Sequence, residues 1–296
     1  MTGSFAVTPR GPFSLERLAT VRFGHQQAER FDGAMRLAFC LDGYRDQVGV
    51  EVRQHDDAVH CIVHGDPDLA AVSRQVQRIL SLDHDGAQFA AVGRRDPVIG
   101  RLQALAPGLR PPLFYSPYEA AAWAIISARR SAAQMTGVRR ALSDARGTRF
   151  DIAEEQVAAF PLPDQLLALT DFPGLNEQKI TRLHGVARAA LAGQLDAQRL
   201  RAMDPAEAMA DVQSIPGIGP FYSALVVVRA VGFADVEPQD EPRSMALIAR
   251  LYGLPQPLKL DEVRAVAETW RPFRTWVTFL IRAAGPGLVA ELESAE

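Results

Sequence analysis

A chain of 296 residues with 48% hydrophobic content is long enough to bury two or three packed units, which excludes a disordered or fibrous protein. Its formal charge of −3 argues against a generally basic nucleic-acid binder and leaves local arginine patches as the route to such a ligand. Two cysteines, Cys40 and Cys61, exclude a disulfide scaffold and a four-cysteine zinc or iron–sulfur centre.

No leader pattern opens the chain, and the apolar stretch from Ser223 to Phe233 is short and interrupted by Arg229, so neither export nor a membrane anchor is expected and the cytoplasm is the default compartment. The positive charge is almost all arginine, Lys179 and Lys259 being the lysines. Arginine suits forked phosphate contacts, although a GC-rich coding sequence accounts for it equally well.

Taken in order, Phe13 to Phe23 mixes alternating apolar positions with charge, and Val48, Val50 and Val52 alternate cleanly before His55-Asp56-Asp57. Val59, Cys61 and Val63 then resume the alternation, which predicts an antiparallel hairpin with one buried face, joined by the first segment. Arg30 to Cys40 fits a short helix or a strand. Asp66-Pro67 has the form of a cap and first helical residue, and Leu69, Val72, Val76, Ile79 and Leu80 repeat at helical spacing behind it. His60, Cys61 and His64 are zinc-ligand types. On a strand His60 and His64 share one face while Cys61 takes the other, so no metal site is expected.

Pro107 to Pro112 reads as a boundary between an N-terminal unit, 1–110, and a C-terminal unit, 111–296. Beyond it the pattern is helical, and no segment reads as a strand. Ser116-Pro117-Tyr118-Glu119 carries an N-cap, a first-position proline and a first-turn acid, opening a helix through Trp123, Ile125 and Ile126. That helix runs into Arg129 and Arg130, which are either solvated surface or DNA contacts. Asp171-Phe172-Pro173-Gly174-Leu175 and Ser214-Ile215-Pro216-Gly217-Ile218 reuse one turn without forming a repeat array. From Asp261 a helical segment carries Val263, Val266, Ala267 and Trp270, Pro272 breaks it, and Trp276, Phe279 and Leu280 begin a final apolar helix. The expected class is α+β: an antiparallel sheet domain with helices, then an all-α domain.

The turn Pro216-Gly217-Ile218-Gly219 is the most informative stretch. It lacks the third glycine of a dinucleotide fingerprint, since Tyr222 stands there, and no strand precedes it. Between two helices its Gly217, Ile218 and Gly219 amides are suited to a phosphate without reading sequence. A purely structural tight turn explains the motif equally well. On the phosphate reading, Gly219→Ala weakens binding through the turn's conformation.

The order Ser116-Pro117-Tyr118-Glu119-Ala120, Ile215-Pro216-Gly217-Ile218-Gly219-Pro220, the acidic segment Pro238 to Glu241, and Trp270-Arg271-Pro272-Phe273-Arg274-Thr275 resembles the helix-hairpin-helix DNA glycosylases, and within them the 3-methyladenine DNA glycosylase II branch. Leu80-Ser81-Leu82-Asp83 and Arg95-Asp96-Pro97-Val98 resemble that branch's sheet domain, so the resemblance covers nearly the whole chain. It implies an enzyme that flips a damaged nucleotide out of double-stranded DNA and hydrolyses its N-glycosidic bond. A carboxylate would stabilise the oxocarbenium-like centre and orient the water. It also implies no required cofactor, although the family often holds a monovalent cation on hairpin carbonyls. A monomer is expected.

Phe221 stands where strand-cutting relatives carry a Schiff-base lysine, which implies a monofunctional enzyme. The missing cysteine cluster separates the chain from the iron–sulfur endonuclease III branch. For the catalytic acid, the short family motif and the spacing from Gly219 select Asp240, whereas the longer motif, counted back from Ala249-Arg250-Leu251-Tyr252-Gly253, selects Glu241. Asp240 is preferred, Glu241 is its rival, and both remain compatible with ordinary acids at a helix start.

The family's intercalating residue falls at Arg129, and a pocket tryptophan of close relatives falls at Arg282. Aromatic rings attract a cationic alkylated purine and arginines repel it, so a neutral or bulky lesion, or lost catalysis, is implied. Phe221, Tyr222, Trp123 and Trp276 are candidates for base stacking, against the usual inward packing of aromatics at helical spacing. The alternative to an enzyme is a DNA-binding protein of the same fold without glycosylase chemistry.

Overall fold

The computed structural model describes residues 2–21, 31–129, 131–238 and 240–294. Strands β1 (Thr2–Val7), β2 (Met35–Cys40), β3 (Gln47–His55) and β4 (Ala58–His64) form one antiparallel sheet in the order β1-β4-β3-β2. The alternating valines work as expected: Val50 pairs with Val63 and Val52 with Cys61, all buried, and the hairpin closes with His55 opposite Ala58.

Two local expectations are corrected and one ambiguity is resolved. Leu15–Thr20 is a helix, α1, whose buried Leu15 and Leu18 sit at helical spacing; the strand that joins the hairpin is β1, and Phe23 lies outside the described residues. Met35–Cys40 resolves the helix-or-strand ambiguity as a strand. Helix α2 (Leu69–Ile79) is capped by Asp68, whose side chain accepts from the Ala70 amide at 2.9 Å, not by Asp66.

Two helices, α3 (Gly86–Arg95) and α4 (Pro97–Leu105), precede the proline-rich boundary. Beyond it come α5 (Pro117–Ser127), α6 (Ala132–Arg146), β5 (Arg149–Ile152), β6 (Glu155–Ala158), α7 (Pro163–Leu167) and α8 (Glu177–Leu191). They are followed by α9 (Ala197–Arg201), α10 (Pro205–Gln213) and α11 (Pro220–Val226), which continues as a π-helical turn over Val227–Val231. The chain finishes with α12 (Pro242–Tyr252), α13 (Leu260–Ala267) and α14 (Arg274–Ser294).

The α+β class is as expected, but the hairpin β5–β6 corrects the expectation that no strand follows residue 110. Its strands are too short to show alternation, and Ala153 and Glu154 turn it with φ of 45° and 66°, without the Asn-Gly signal such turns usually carry. Gly49 of β3 makes room for it: a Cβ there would lie 2.7 Å from Phe150 Cγ.

Three cores result. The sheet packs on α1 and α2. Helix α5, buried along its whole length and rich in alanine, is the axis of a second core with α8, α10 and α11, because small side chains let several helices approach one another. In the third, Phe89, Val92, Ile99 and Leu102 of α3 and α4 pack with Trp270, Phe273 and Trp276, so residues before 110 share a core with the last helices. Asp96 pins that union. It caps α4 through the Val98 amide and accepts from Tyr252 Oη at 2.7 Å and Trp270 Nε1 at 3.2 Å.

Arg110, buried between the Phe13 and Trp276 rings, donates to carbonyls of Arg10, Gly11, Pro12, Ser81 and His84. Burial pulls its pKa down to about 10.

Candidate nucleic-acid interface

The hairpin between α10 and α11 is a type II turn. Pro216 occupies its second position, Gly217 its third with φ 96°, and the Ile218 amide donates back to the Ile215 carbonyl at 3.0 Å. The same solution recurs at Pro173-Gly174, where φ is 84° and Leu175 N donates to Phe172 O at 2.9 Å. Two consequences correct the sequence reading. The Ile218 amide is consumed inside the turn and is no phosphate donor; the Gly217 and Gly219 amides make no hydrogen bond among the described residues. Gly219 has φ −90°, open to any residue, and a Cβ there meets nothing within 4 Å. The conformational glycine is Gly217, and Gly219 keeps open space beside the amides.

The hairpin sits against the end of α5. A Cβ on Gly217 would lie 2.6 Å from Arg182 Cδ and 3.0 Å from Ile125 Cδ1. Tyr222 Oη and Ser127 Oγ are 3.0 Å apart. Lys179 of α8 donates to the carbonyls of Ile126 at 2.7 Å and Ala128 at 3.0 Å, closing the α5 C-terminus with a positive charge where the helix dipole is negative. The next residue, Arg129, is held at φ 58°. Arg130 lies outside the described residues. Phe221 is 69% exposed, edge-on to Tyr222 at 5.2 Å.

The acidic segment is anchored by the Trp270-to-Thr275 motif. Asp235 accepts from Arg274 Nε at 2.9 Å and Arg271 Nε at 3.3 Å, and Thr275 Oγ1 accepts from Val236 N at 3.0 Å. Glu241 then caps α12: it accepts from the Ser244 amide at 2.9 Å, the Ser244 hydroxyl at 2.7 Å and the Arg243 amide at 3.1 Å, and Arg282 of α14 pairs with it at 2.8 Å. Partial burial pushes its pKa up, but the Ser244 and Arg243 bonds and the Arg282 charge outweigh this and leave it below the ordinary glutamate value. The Asp240 side chain is exposed and makes no hydrogen bond or ion pair among the described residues.

The sequence-derived candidates therefore separate. Glu241 meets Arg282, and Phe221 meets Tyr222, which reaches Ser127. Trp123 is buried in the central core against Phe114, and Trp276 in the third core among Phe89, Phe273 and His84, so neither lines an open base pocket. Sequence reasoning missed Lys179 and Arg182. Their position on one face of the helix after the Pro173-Gly174 turn was visible, but the ends they meet are far along the chain.

Glu119, read as a first-turn acid, is fully buried, accepting from Arg139 at 2.6 Å and the Cys40 amide at 3.1 Å; burial pushes its pKa up against the pull of Arg139. Among the described residues no His, Cys, Asp or Glu group could hold a metal, and no helix is long and apolar enough to cross a membrane.

No protein-family model matches the chain. Its sequence is 27% identical over 300 residues to a probable bifunctional transcriptional activator/DNA repair enzyme AlkA of Mycobacterium tuberculosis, covering 94% of this chain and 56% of that protein. It is 29% identical over 182 residues to DNA-3-methyladenine glycosylase 2 of Escherichia coli, covering 60% of this chain and 61% of that one. The chain thus spans little more than half the length of these two relatives. A 3-methyladenine DNA glycosylase from Archaeoglobus fulgidus has the same fold, with a TM-score of 0.76 at 20% identity over 96% of this chain and 99% of that one. With the hairpin, the capped acid and the motif that anchors it in one chain, the protein is similar, at low sequence identity, to DNA-3-methyladenine glycosylases, and it shares their fold.

Proposed function

We propose that the protein is a DNA-repair N-glycosylase that extrudes a damaged base from duplex DNA and hydrolyses its glycosidic bond, with Glu241 as the working carboxylate. The observation that carries this is the cap of α12: three hydrogen bonds and an ion pair keep Glu241 ionised and fixed, while Asp240 has no such support. A fixed anion stabilises a developing sugar cation without reorganising as the reaction proceeds, and its second task is to orient water.

Arg282 moderates that charge. A cationic alkylated purine approaching the Glu241–Arg282 pair meets a guanidinium instead of an aromatic ring, so the preferred substrate is a neutral or bulky lesion. The reaction ends at an abasic site. Phe221 supplies no amine, and the ammonium of Lys179 is engaged by two carbonyls. Carbonyls of Ser214, Pro216 and Ile218 accept no hydrogen bond among the described residues, and these hard oxygens suit a monovalent cation steadying the hairpin. The enzyme works as a monomer in the cytoplasm.

Base release from a panel of damaged duplexes is the test. A neutral or bulky lesion should be released faster than 3-methyladenine, and Glu241→Gln should lower release on the order of a hundredfold while Asp240→Asn stays near the parent. DNA binding that persists with no lesion released would leave a clamp without chemistry and sink the enzyme reading.

A further inference from the structure

Helix α8 places Arg182 against the hairpin, with Cδ 2.6 Å and Nε 3.0 Å from the position a Cβ on Gly217 would take. Only a glycine leaves room for the arginine stem to lie along the turn. Arg182 is half-buried, and other arginines shielded from solvent are committed to acids: Arg36 to Asp32, Arg78 to Asp42, Arg139 to Glu119 and Arg274 to Asp235. Arg182 makes no ion pair or hydrogen bond among the described residues. Its own helix offers no ion-pair partner, since the positions three and four residues away are Gln178, Lys179, Gly185 and Val186. An arginine without a polar partner among the described residues thus lies along the turn at Gly217, and the Gly217 and Gly219 amides of that hairpin make no hydrogen bond among the described residues either.

We infer that Arg182 is a phosphate-binding side chain of the hairpin, completing with those two amides a site for one backbone phosphate of duplex DNA. This rests on the DNA-binding part of the proposed function and adds a residue and a charge to it. Backbone amides alone carry no net charge and release few counterions, whereas a guanidinium neutralises one phosphate and makes the contact salt-dependent. The contact is to the sugar–phosphate chain, so it positions the protein without reading bases.

The test is the affinity of the full chain for undamaged duplex DNA across a range of salt concentrations. Arg182→Gln should weaken binding to all sequences alike, on the order of tenfold at low salt, and flatten the plot of log K against log salt by about 0.9. Arg182→Lys should recover most of the slope, because a point charge still neutralises the phosphate. In base release the loss should appear in KM and not in kcat, which a fold defect would not produce. A parent that binds with the same slope as Arg182→Gln overturns this inference and leaves the glycosylase reading standing. A parent that binds no duplex overturns both.

Discussion

At the scale of single residues, the two glycines of the hairpin do different work. Gly217 sits at φ 96° with Arg182 and Ile125 in the space of a side chain. Gly217→Ala should therefore cost about 1–2 kcal/mol of stability, seen as a lower denaturation midpoint at unchanged m-value. Gly219 has ordinary φ and open surroundings, so Gly219→Ala should leave stability within about 0.5 kcal/mol and weaken DNA binding by putting a methyl group where the phosphate approaches. Equal DNA affinity of Gly219→Ala and parent would count against the clamp. The sequence offered both glycines as equals, because a turn's φ assignment depends on which residue takes the third position.

At the scale of elements, α5, α8 and the hairpin behave as one unit. Lys179 joins α8 to the last carbonyls of α5, Tyr222 joins α11 to Ser127, and Arg129 projects from the end so held. Lys179→Met removes two charge-assisted bonds and should cost about 1.5–3 kcal/mol, with Lys179→Arg milder; thermal melts of the two variants check this. The proposed acid lies on a second unit, in which Asp235 ties the loop to α14 and Glu241 starts α12. Periodicity and capping signals made most of these helices legible. The pairing between them was not, since Lys179 and Ile126, or Glu241 and Arg282, meet only after the helices pack.

At the scale of the whole molecule, the parts are locked by buried and half-buried polar groups that cross from early to late segments. His84 is one: Nε2 lies 3.0 Å from the Gly232 carbonyl and its ring packs edge-on to Trp276. Burial lowers its pKa below the ordinary 6.5 despite the nearby Asp83. As pH falls through the unfolded value the unfolded chain gains the proton first. This contribution to stability is therefore full above about 6.5 and is lost on acidification until the folded value is reached. Denaturation at pH 8 and pH 5 should show a larger loss for the parent than for His84→Gln.

The sequence by itself determined the alternating hairpin, the capped helices and the Pro-Gly turn, because each is fixed by residues within one or two turns of one another. It did not reveal β5–β6, whose turn lacks the usual glycine, nor that α3 and α4 pack with the last helices. Only the tertiary structure gave Asp240 and Glu241 different surroundings: Glu241 meets Ser244 on its own helix and Arg282 from the distant α14, whereas Asp240 is exposed. It alone moved Trp123 and Trp276 from pocket to core and brought Arg182 to the hairpin. Local chemistry is written in spacing, whereas burial and long-range charge pairing exist only once the chain has closed on itself.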